Sequence, residues 1–498
     1  MDLPLTLLAY SLPFVVAIGL ALLVIGYAGA LLGQPWLLML PFLAVLFWFS
    51  ASTFGRIDAV SSGSLLSRGS GQLLFPAFLW AMLLSLAWVR FAGLFGTARQ
   101  ARPTLPLTPW FAAWAVLLLG HVAVGMFSGI SLARILSPTG FSHIVWLWVL
   151  ISAMVATFTR LVDGRRLALF IMAMGLARAV FGLVRFAAFG GDPANVYANR
   201  EGLNLKLTFF DINDSLLCLL SMCIALVMLF RSAPAGGWRR WQWLLLWAAV
   251  VLPALCIVLS FRRTVWVGTV LALAFVLLQL PRRAGWSLLV LAAPVVLVGI
   301  GYASWKRLSQ VRGAGGNFLY DITSRSFGAE SSRLLELQLA WHSFLDHPLF
   351  GVGSWGVYGG WGRVAWQVES GEGGGGAFLH SGVLHMALKT GLVGLVLLVG
   401  TVAAFVLAWR RLRRSLPAAA MPLAVAGVAG VLFTLPDWLL GTPVPQVRTM
   451  MLLGLCMSLP FVAERCFAGA AEAAPAQAGR AVWRRRQSHS TWAQLRPR

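Results

Sequence analysis

Charge is scarce in this sequence. Aspartate, glutamate, lysine and arginine make up 11% of its 498 residues, where a soluble chain carries about a quarter. Acids are the scarcer sign: 16 Asp and Glu stand against 39 Lys and Arg, a formal net charge of +23. Cysteine occurs only five times. Taken with a hydrophobic fraction of 59%, these shortages exclude a cytosolic enzyme, a disordered chain, a collagen and a disulfide scaffold. No P-loop, Gly-x-Ser-x-Gly or Asp-x-Asp sequence occurs, so the usual nucleotide cradle and nucleophile elbow are missing as well.

What fills the chain is long apolar runs. Runs able to cross about 30 Å of hydrocarbon lie near 5–28, 35–52, 73–95, 110–128, 141–159, 167–188, 214–230, 241–260, 264–280, 286–303, 379–408, 419–436 and 449–463. They predict an all-α polytopic membrane protein of about 12–14 transmembrane helices. The first run carries only Asp2 before a long apolar stretch, unlike the basic start and short core of a cleaved signal. Cys218, Cys223, Cys256, Cys456 and Cys466 fall in spans or on the basic side, as buried free thiols acting as small hydrophobes.

The positive excess sets orientation. Loops at 90–102, 160–166, 231–240, 282–283 and 410–414, with the tail after 463, carry 22 arginines against Asp163, Glu464 and Glu472. By the positive-inside rule that side is cytoplasmic, which leaves the other face near neutral. The basicity therefore calls for no nucleic acid partner; its counterpart is membrane lipid, and the Arg-rich tail lies disordered against anionic headgroups. The chain divides into a bundle over 1–303, a large outward loop over 304–378, further spans over 379–463 and a basic cytoplasmic tail over 464–498.

The outward loop is too long to be a structureless connector. Leu334, Leu337, Trp341, Phe344 and Leu345 recur at helical spacing and Pro348 stands just beyond, predicting an amphipathic helix lying on the bundle or on the lipid interface. The glycine-dense stretch from Gly351 to Gly376 reads either as a mobile gate or as a plain linker.

Ionisable groups inside a membrane are costly, and each is a functional candidate. Arg178 and Arg185 lie seven apart in the sixth run, on one helix face; Arg185 can snorkel outward, and the deeper Arg178 either pairs with carbonyls or supports a site. Arg262 and Arg263 form a tiny outward turn that topology does not explain. Adjacent guanidinium groups suit a phosphate-type anion, which they grip in bidentate fashion. His380 and His385 open the eleventh span; an imidazole there can accept a proton from a hydroxyl. Their spacing and surroundings do not suit a metal, and no metal or cofactor is called for.

Together these residues resemble the O-antigen ligase family, which includes O-antigen polymerases. The resemblance rests on Ser332-Arg333-Leu334-Leu335-Glu336, on Asp346-His347-Pro348-Leu349-Phe350-Gly351-Val352-Gly353, on His380-Ser381-Gly382-Val383-Leu384 and on Gly391-Leu392-Val393-Gly394. Ser260 to Arg263 is similar to the family's upstream Ser-x-Arg. One departure is Ser381, where the family usually has Asn. The resemblance implies a multi-pass enzyme of the bacterial inner membrane whose active site faces the periplasm. Its donor would be a glycan on undecaprenyl diphosphate, and its acceptor a hydroxyl on a lipid or another glycan. On that reading His380 is the catalytic base and Arg262, Arg263, Arg185 and Arg333 bind the diphosphate. Arg178, Ser381 and His385 are possible supports, and the transfer is metal-independent and inverting. A polymerase using the same donor and a transporter or flippase of a polysaccharide precursor remain the alternatives. Carriers, however, usually keep carboxylates within spans, whereas here acids such as Asp214 and Asp437 sit at span ends.

Overall fold

A computed structural model describes residues 35–48, 105–137, 139–189, 211–232, 237–260, 262–290, 301, 329–359 and 379–467. Among these residues the structure is helical, without strands. In chain order the helices used below are α1 (Leu40–Trp48), α2 (Thr108–Phe127), α3 (Leu132–Ile135), α4 (Ser142–Thr157), α5 (Leu161–Phe189) and α6 (Ile212–Phe230). They continue with α7 (Arg240–Leu259), α8 (Arg263–Gln279), α9 (Ala329–Asp346), α10 (Gly382–Ser415), α11 (Met421–Leu440) and α12 (Val447–Phe467). Among the described residues seven stretches are long and apolar enough to span a membrane, in α2, α5, α6, α7, α10, α11 and α12, while α4 and α8 are shorter apolar helices. The protein is an all-α polytopic membrane protein. The runs expected at 5–28 and 73–95, most of 286–303, the tail after 467 and the loop segments 302–328 and 360–378 lie outside the described residues.

Helix ends differ from the apolar runs in an instructive way. α5 starts at Leu161 and takes in Arg165 and Arg166, and α10 runs on through Arg410–Arg414. Arginine is a good helix former, so the helix continues past the edge of the apolar stretch.

α6, α11 and α12 form the enclosed centre: 83%, 72% and 89% of their apolar windows are buried, against 28% in α7. α6 packs on α5, α7 and α11, and α8 packs on α11. The crossings are close because glycine sits at them. A Cβ on Gly175 would lie 2.7 Å from the Leu217 carbonyl oxygen, and one on Gly268 would lie 2.3 Å from that of Phe433. Lipid gives helices no hydrophobic reason to associate, so such small-residue contacts and buried polar bonds do that work. Ser221 Oγ, for example, donates to the Met172 carbonyl at 2.9 Å. The five cysteines are free and buried.

A four-membered ion cluster joins the elements at one end of this centre. Arg178 of α5 holds Asp214 of α6 through two bonds, Nε to Oδ1 at 3.1 Å and Nη2 to Oδ2 at 2.9 Å. Arg448 of α12 reaches the same carboxylate at 2.9 Å and Asp211 at 3.2 Å. Arg448 also donates to the carbonyls of Leu46 and Phe47 at the end of α1. Asp211 caps α6, accepting from the Asp214 backbone N–H at 2.8 Å. Two guanidinium groups thus face two carboxylates and the charge cancels. The deep Arg178 takes a carboxylate partner, which the sequence reading does not consider.

α10 is two limbs. At Gly391 the backbone turns to φ 63°, ψ −157°, a region open in practice only to glycine. The break frees backbone groups, and the turn after α9 takes them up. Leu392 N–H donates to Pro348 O at 2.8 Å, Val393 N–H to Leu349 O at 3.2 Å, and Val352 N–H to Leu388 O at 2.8 Å. The crossing is tight on both sides: a Cβ on Gly391 would lie 2.3 Å from Leu349 O, and one on Gly351 would lie 2.4 Å from Leu388 O. The buried Lys389 ammonium adds a bond to Gly356 O. The start of the glycine stretch, expected as a gate or a linker, is therefore a docked clasp at 348–356; the part from 360 onward lies outside the described residues.

Two substitutions test these features. Asp214→Ala leaves two buried guanidinium groups facing one carboxylate, and removing one partner of a buried pair costs about 3–5 kcal/mol. Gly391→Ala adds a Cβ against a carbonyl at a glycine-only backbone conformation, with a backbone penalty of about 1–3 kcal/mol. Both variants should show lowered thermal unfolding midpoints in nanodiscs, with Asp214→Ala the lower.

Candidate functional site

The clasp sets the site because α9, the turn and the first limb of α10 are hydrogen-bonded and packed into one unit. α9 enters that unit through Ala340 and Phe344, which are buried, and Tyr358, Leu379 and Leu388 form a small apolar cluster with Ala340. The helix forms as its spacing predicts and stops just before Pro348. Its packing face differs from the expected one. It centres on Glu336, Ala340 and Phe344, while Leu334, Trp341 and Leu345 stay exposed.

Glu336 is wholly buried, and its carboxylate is spent on His380. The His380 backbone N–H donates to Oε1 at 2.6 Å and its ring Nδ1 lies 3.0 Å from Oε2. A carboxylate only accepts, so Nδ1 carries the ring proton and Nε2 is the basic nitrogen. The His380 side chain keeps 22% of its surface exposed, so the ring stands at the boundary between protein and surroundings. This is the carboxylate-oriented imidazole arrangement that fixes a base in one tautomer.

Ser381 follows as the N-cap of α10, its hydroxyl accepting from the Leu384 backbone N–H at 3.3 Å. Asparagine and serine are both strong N-caps, so the departure from the family's usual residue keeps the local job. His385 turns inward: it is buried, and its Nε2 donates to the Gly140 carbonyl at 3.2 Å. Its neighbours on that side are similarly engaged. His143 Nδ1 donates to Val444 O at 2.8 Å, and His121 Nδ1 accepts from the Ser354 backbone N–H at 3.1 Å. These three histidines tie the 139–144 segment, the clasp and the α11–α12 connection together; they belong to the frame.

The arginines divide. Arg262 caps α8 by position and Arg263 opens it; both are exposed. Asp437, at the far end of α11 and largely buried, lies within electrostatic reach of Arg262, His380 and Asp211. The α7–α8 turn and the His380 end of α10 therefore lie in the neighbourhood of one carboxylate. Arg333 is half-buried on α9, one turn before Glu336. Arg185 lies in α5 two turns beyond Arg178, and its side chain is outside the described residues. Arg178 belongs to the ion cluster.

Sequence reasoning gave no role to Glu336, Asp437, Lys389 or Arg448. Two of them carried a readable signal: Lys389 is a charge inside an apolar run and Arg448 stands at the edge of one. Glu336 sits in the quoted motif, but its bond to a residue 44 positions away has no local trace. Among the described residues no group of three or more His, Cys, Asp or Glu could hold a metal ion.

Residues 248–399 match the sequence model of the O-antigen ligase family, a family of glycosyltransferase-like ligases and polymerases. No curated protein matches the chain. The matched segment takes in most of α7, then α8, α9, the clasp and the break in α10, so the resemblance read from the motifs holds over the elements that build the site.

The cap offers a direct check. Ser381→Asn should keep the wild-type unfolding midpoint, whereas Ser381→Ala should lose about 1 kcal/mol; thermal unfolding of the two purified variants side by side decides it.

Proposed function

We propose that the protein is an O-antigen ligase-like glycosyltransferase that moves a glycan from undecaprenyl diphosphate to an acceptor hydroxyl at the periplasmic face of the bacterial inner membrane. The observation that carries this reading is the buried Glu336 holding His380, within a segment that matches the ligase family. In the reaction the acceptor hydroxyl gives its proton to His380 Nε2 as its oxygen attacks the anomeric carbon. The bond from that carbon to the diphosphate oxygen breaks, and undecaprenyl diphosphate leaves with the electron pair. A single displacement of this kind inverts the anomeric centre.

The leaving group gains charge as it departs, and preorganised cations aimed at it lower the barrier. Arg262, Arg263, Arg185 and Arg333 are the groups for this task, and their guanidinium forks match diphosphate oxygens. Their fixed positive charge supplies the neutralisation that the step requires. Asp437 acts as a positioning group, its carboxylate balancing Arg262 and His380 on the inner side. Glu336 keeps the His380 ring in its tautomer and orientation.

The donor is a lipid, and an open apolar groove on the outside of the bundle suits its chain. A space of about 510 Å³ is lined by Met172, Leu176, Val180 and Val184 of α5 and by Leu245 of α7. It lies along α5 toward the end of the helix that carries Arg185. In this reading 304–378 forms the periplasmic loop above the spans of 1–303 and 379–463, and 464–498 is cytoplasmic. The acceptor is lipid- or glycan-borne.

The assay uses purified protein with an undecaprenyl-diphosphate glycan and candidate acceptors. His380→Ala should lower transfer about 10²–10⁴-fold, the usual worth of a general base. Arg262→Ala should lower it without unfolding the protein, and Glu336→Gln should lower the turnover rate more than it changes acceptor affinity. Undiminished transfer in both His380→Ala and Arg262→Ala would sink the site assignment. Product on a lipid core identifies a ligase, and lengthened glycan on undecaprenyl diphosphate identifies a polymerase.

A further inference from the structure

α9 is amphipathic in three directions. At about 100° per residue, Glu336, Ala340 and Phe344 share the arc that packs on the first limb of α10. Leu334, Trp341 and Leu345 occupy the neighbouring arc, and Gln338 and His342 the one beyond it. The packed arc is buried, while Leu334, Trp341 and Leu345 are between 49% and 52% exposed. The turn that follows extends the apolar arc, with Leu349 60% and Phe350 59% exposed.

The neighbour of this strip identifies what covers it. Pro348 and Leu349 accept hydrogen bonds from Leu392 and Val393 of α10, so the apolar turn abuts the second limb just where it begins. That limb, part of a membrane-spanning helix, presents Leu392, Val396 and Val399 outward, between 47% and 67% exposed. An exposed valine-leucine stripe on a spanning helix faces acyl chains. The strip on α9 and its turn is thus continuous with a lipid-facing surface, and its aromatic and polar edges have the order expected at a headgroup boundary.

We infer that α9 is an interfacial helix: Leu334, Trp341, Leu345, Leu349 and Phe350 form a membrane-docking surface whose partner is the lipid leaflet adjoining the second limb of α10, with Gln338 and His342 turned to water. The docking surface does not depend on the proposed reaction. It fixes the level of the site, because Glu336 on the same helix holds His380. Whatever reacts at His380 meets it at headgroup depth.

The test uses the full-length protein in nanodiscs, with single cysteines introduced for an environment-sensitive NBD probe. The five native thiols are buried and stay unlabelled. Leu345→Cys and Leu349→Cys report on the strip, His342→Cys on the water arc, and Val399→Cys gives the lipid-facing reference. All four positions are exposed, so the labels do not disturb packing, and size-exclusion profiles check this. Probes at 345 and 349 should be quenched by spin-labelled phospholipid to an extent near that at 399 and protected from aqueous iodide. The probe at 342 should show the reverse. Iodide quenching at 345 and 349 equal to that at 342 would put the helix in water and overturn the inference. Protection from both quenchers would mean that protein covers the strip, which overturns it equally.

Discussion

A helix broken inside a membrane leaves backbone donors and acceptors that lipid cannot satisfy. Here that constraint organises the site. The break at Gly391 calls for partners, and only a chain without a Cβ at Gly391 and Gly351 comes close enough to supply them. The turn that does so begins where α9 ends. α9 is therefore held at a set height and rotation, and Glu336 arrives at the backbone and ring of His380. Lys389, buried beneath the same turn, adds a bond from inside. The motif glycines and His380 belong to one construction.

The charges in the protein serve two separate purposes. Arg178, Arg448, Asp211 and Asp214 cancel among themselves and draw α1, α5, α6 and α12 together at one end of the bundle. Arg262 and Arg263 are exposed and Arg333 is half-buried, all three outside that cluster. Asp437 stands between the two groups, within reach of Arg262 and of Asp211 alike. The buried cluster ties four helices at one end of the bundle, and the α7–α8 turn that carries Arg262 is built on that frame.

Much of this was legible in the residues, and what was not has a physical reason. Apolar runs located α2, α6, α7, α11 and α12 because lipid demands such runs wherever a helix crosses. The recurrence of Leu334, Leu337, Trp341, Phe344 and Leu345 located α9, but not its packed face. Which side of an amphipathic helix meets protein and which meets lipid cannot be told when both sides want apolar atoms. His380 and Arg262 stood out as ionisable groups at span ends, and Arg333 was singled out only through the motif it stands in. Glu336 and Asp437 were not assigned roles, since their meaning lies in partners far along the chain. Gly391 was read as the first glycine of a motif inside a span, because a glycine pair in an apolar run does not announce a backbone reversal of φ.

The two limbs of α10 also differ in what they answer to. A spanning helix tilts and shifts to match the thickness of the bilayer around it, and a continuous hydrogen-bond ladder would carry that tilt along its whole length. The ladder is interrupted at Gly391. The segment 382–390, with Ser381 and His380 at its head, takes its bearings from the clasp and from Glu336. The clasp holds Leu388 of the short limb and Leu392 and Val393 of the long one, so a tilt of the long limb at 392–415 reaches the His380 end through the clasp and α9, not along the helix itself.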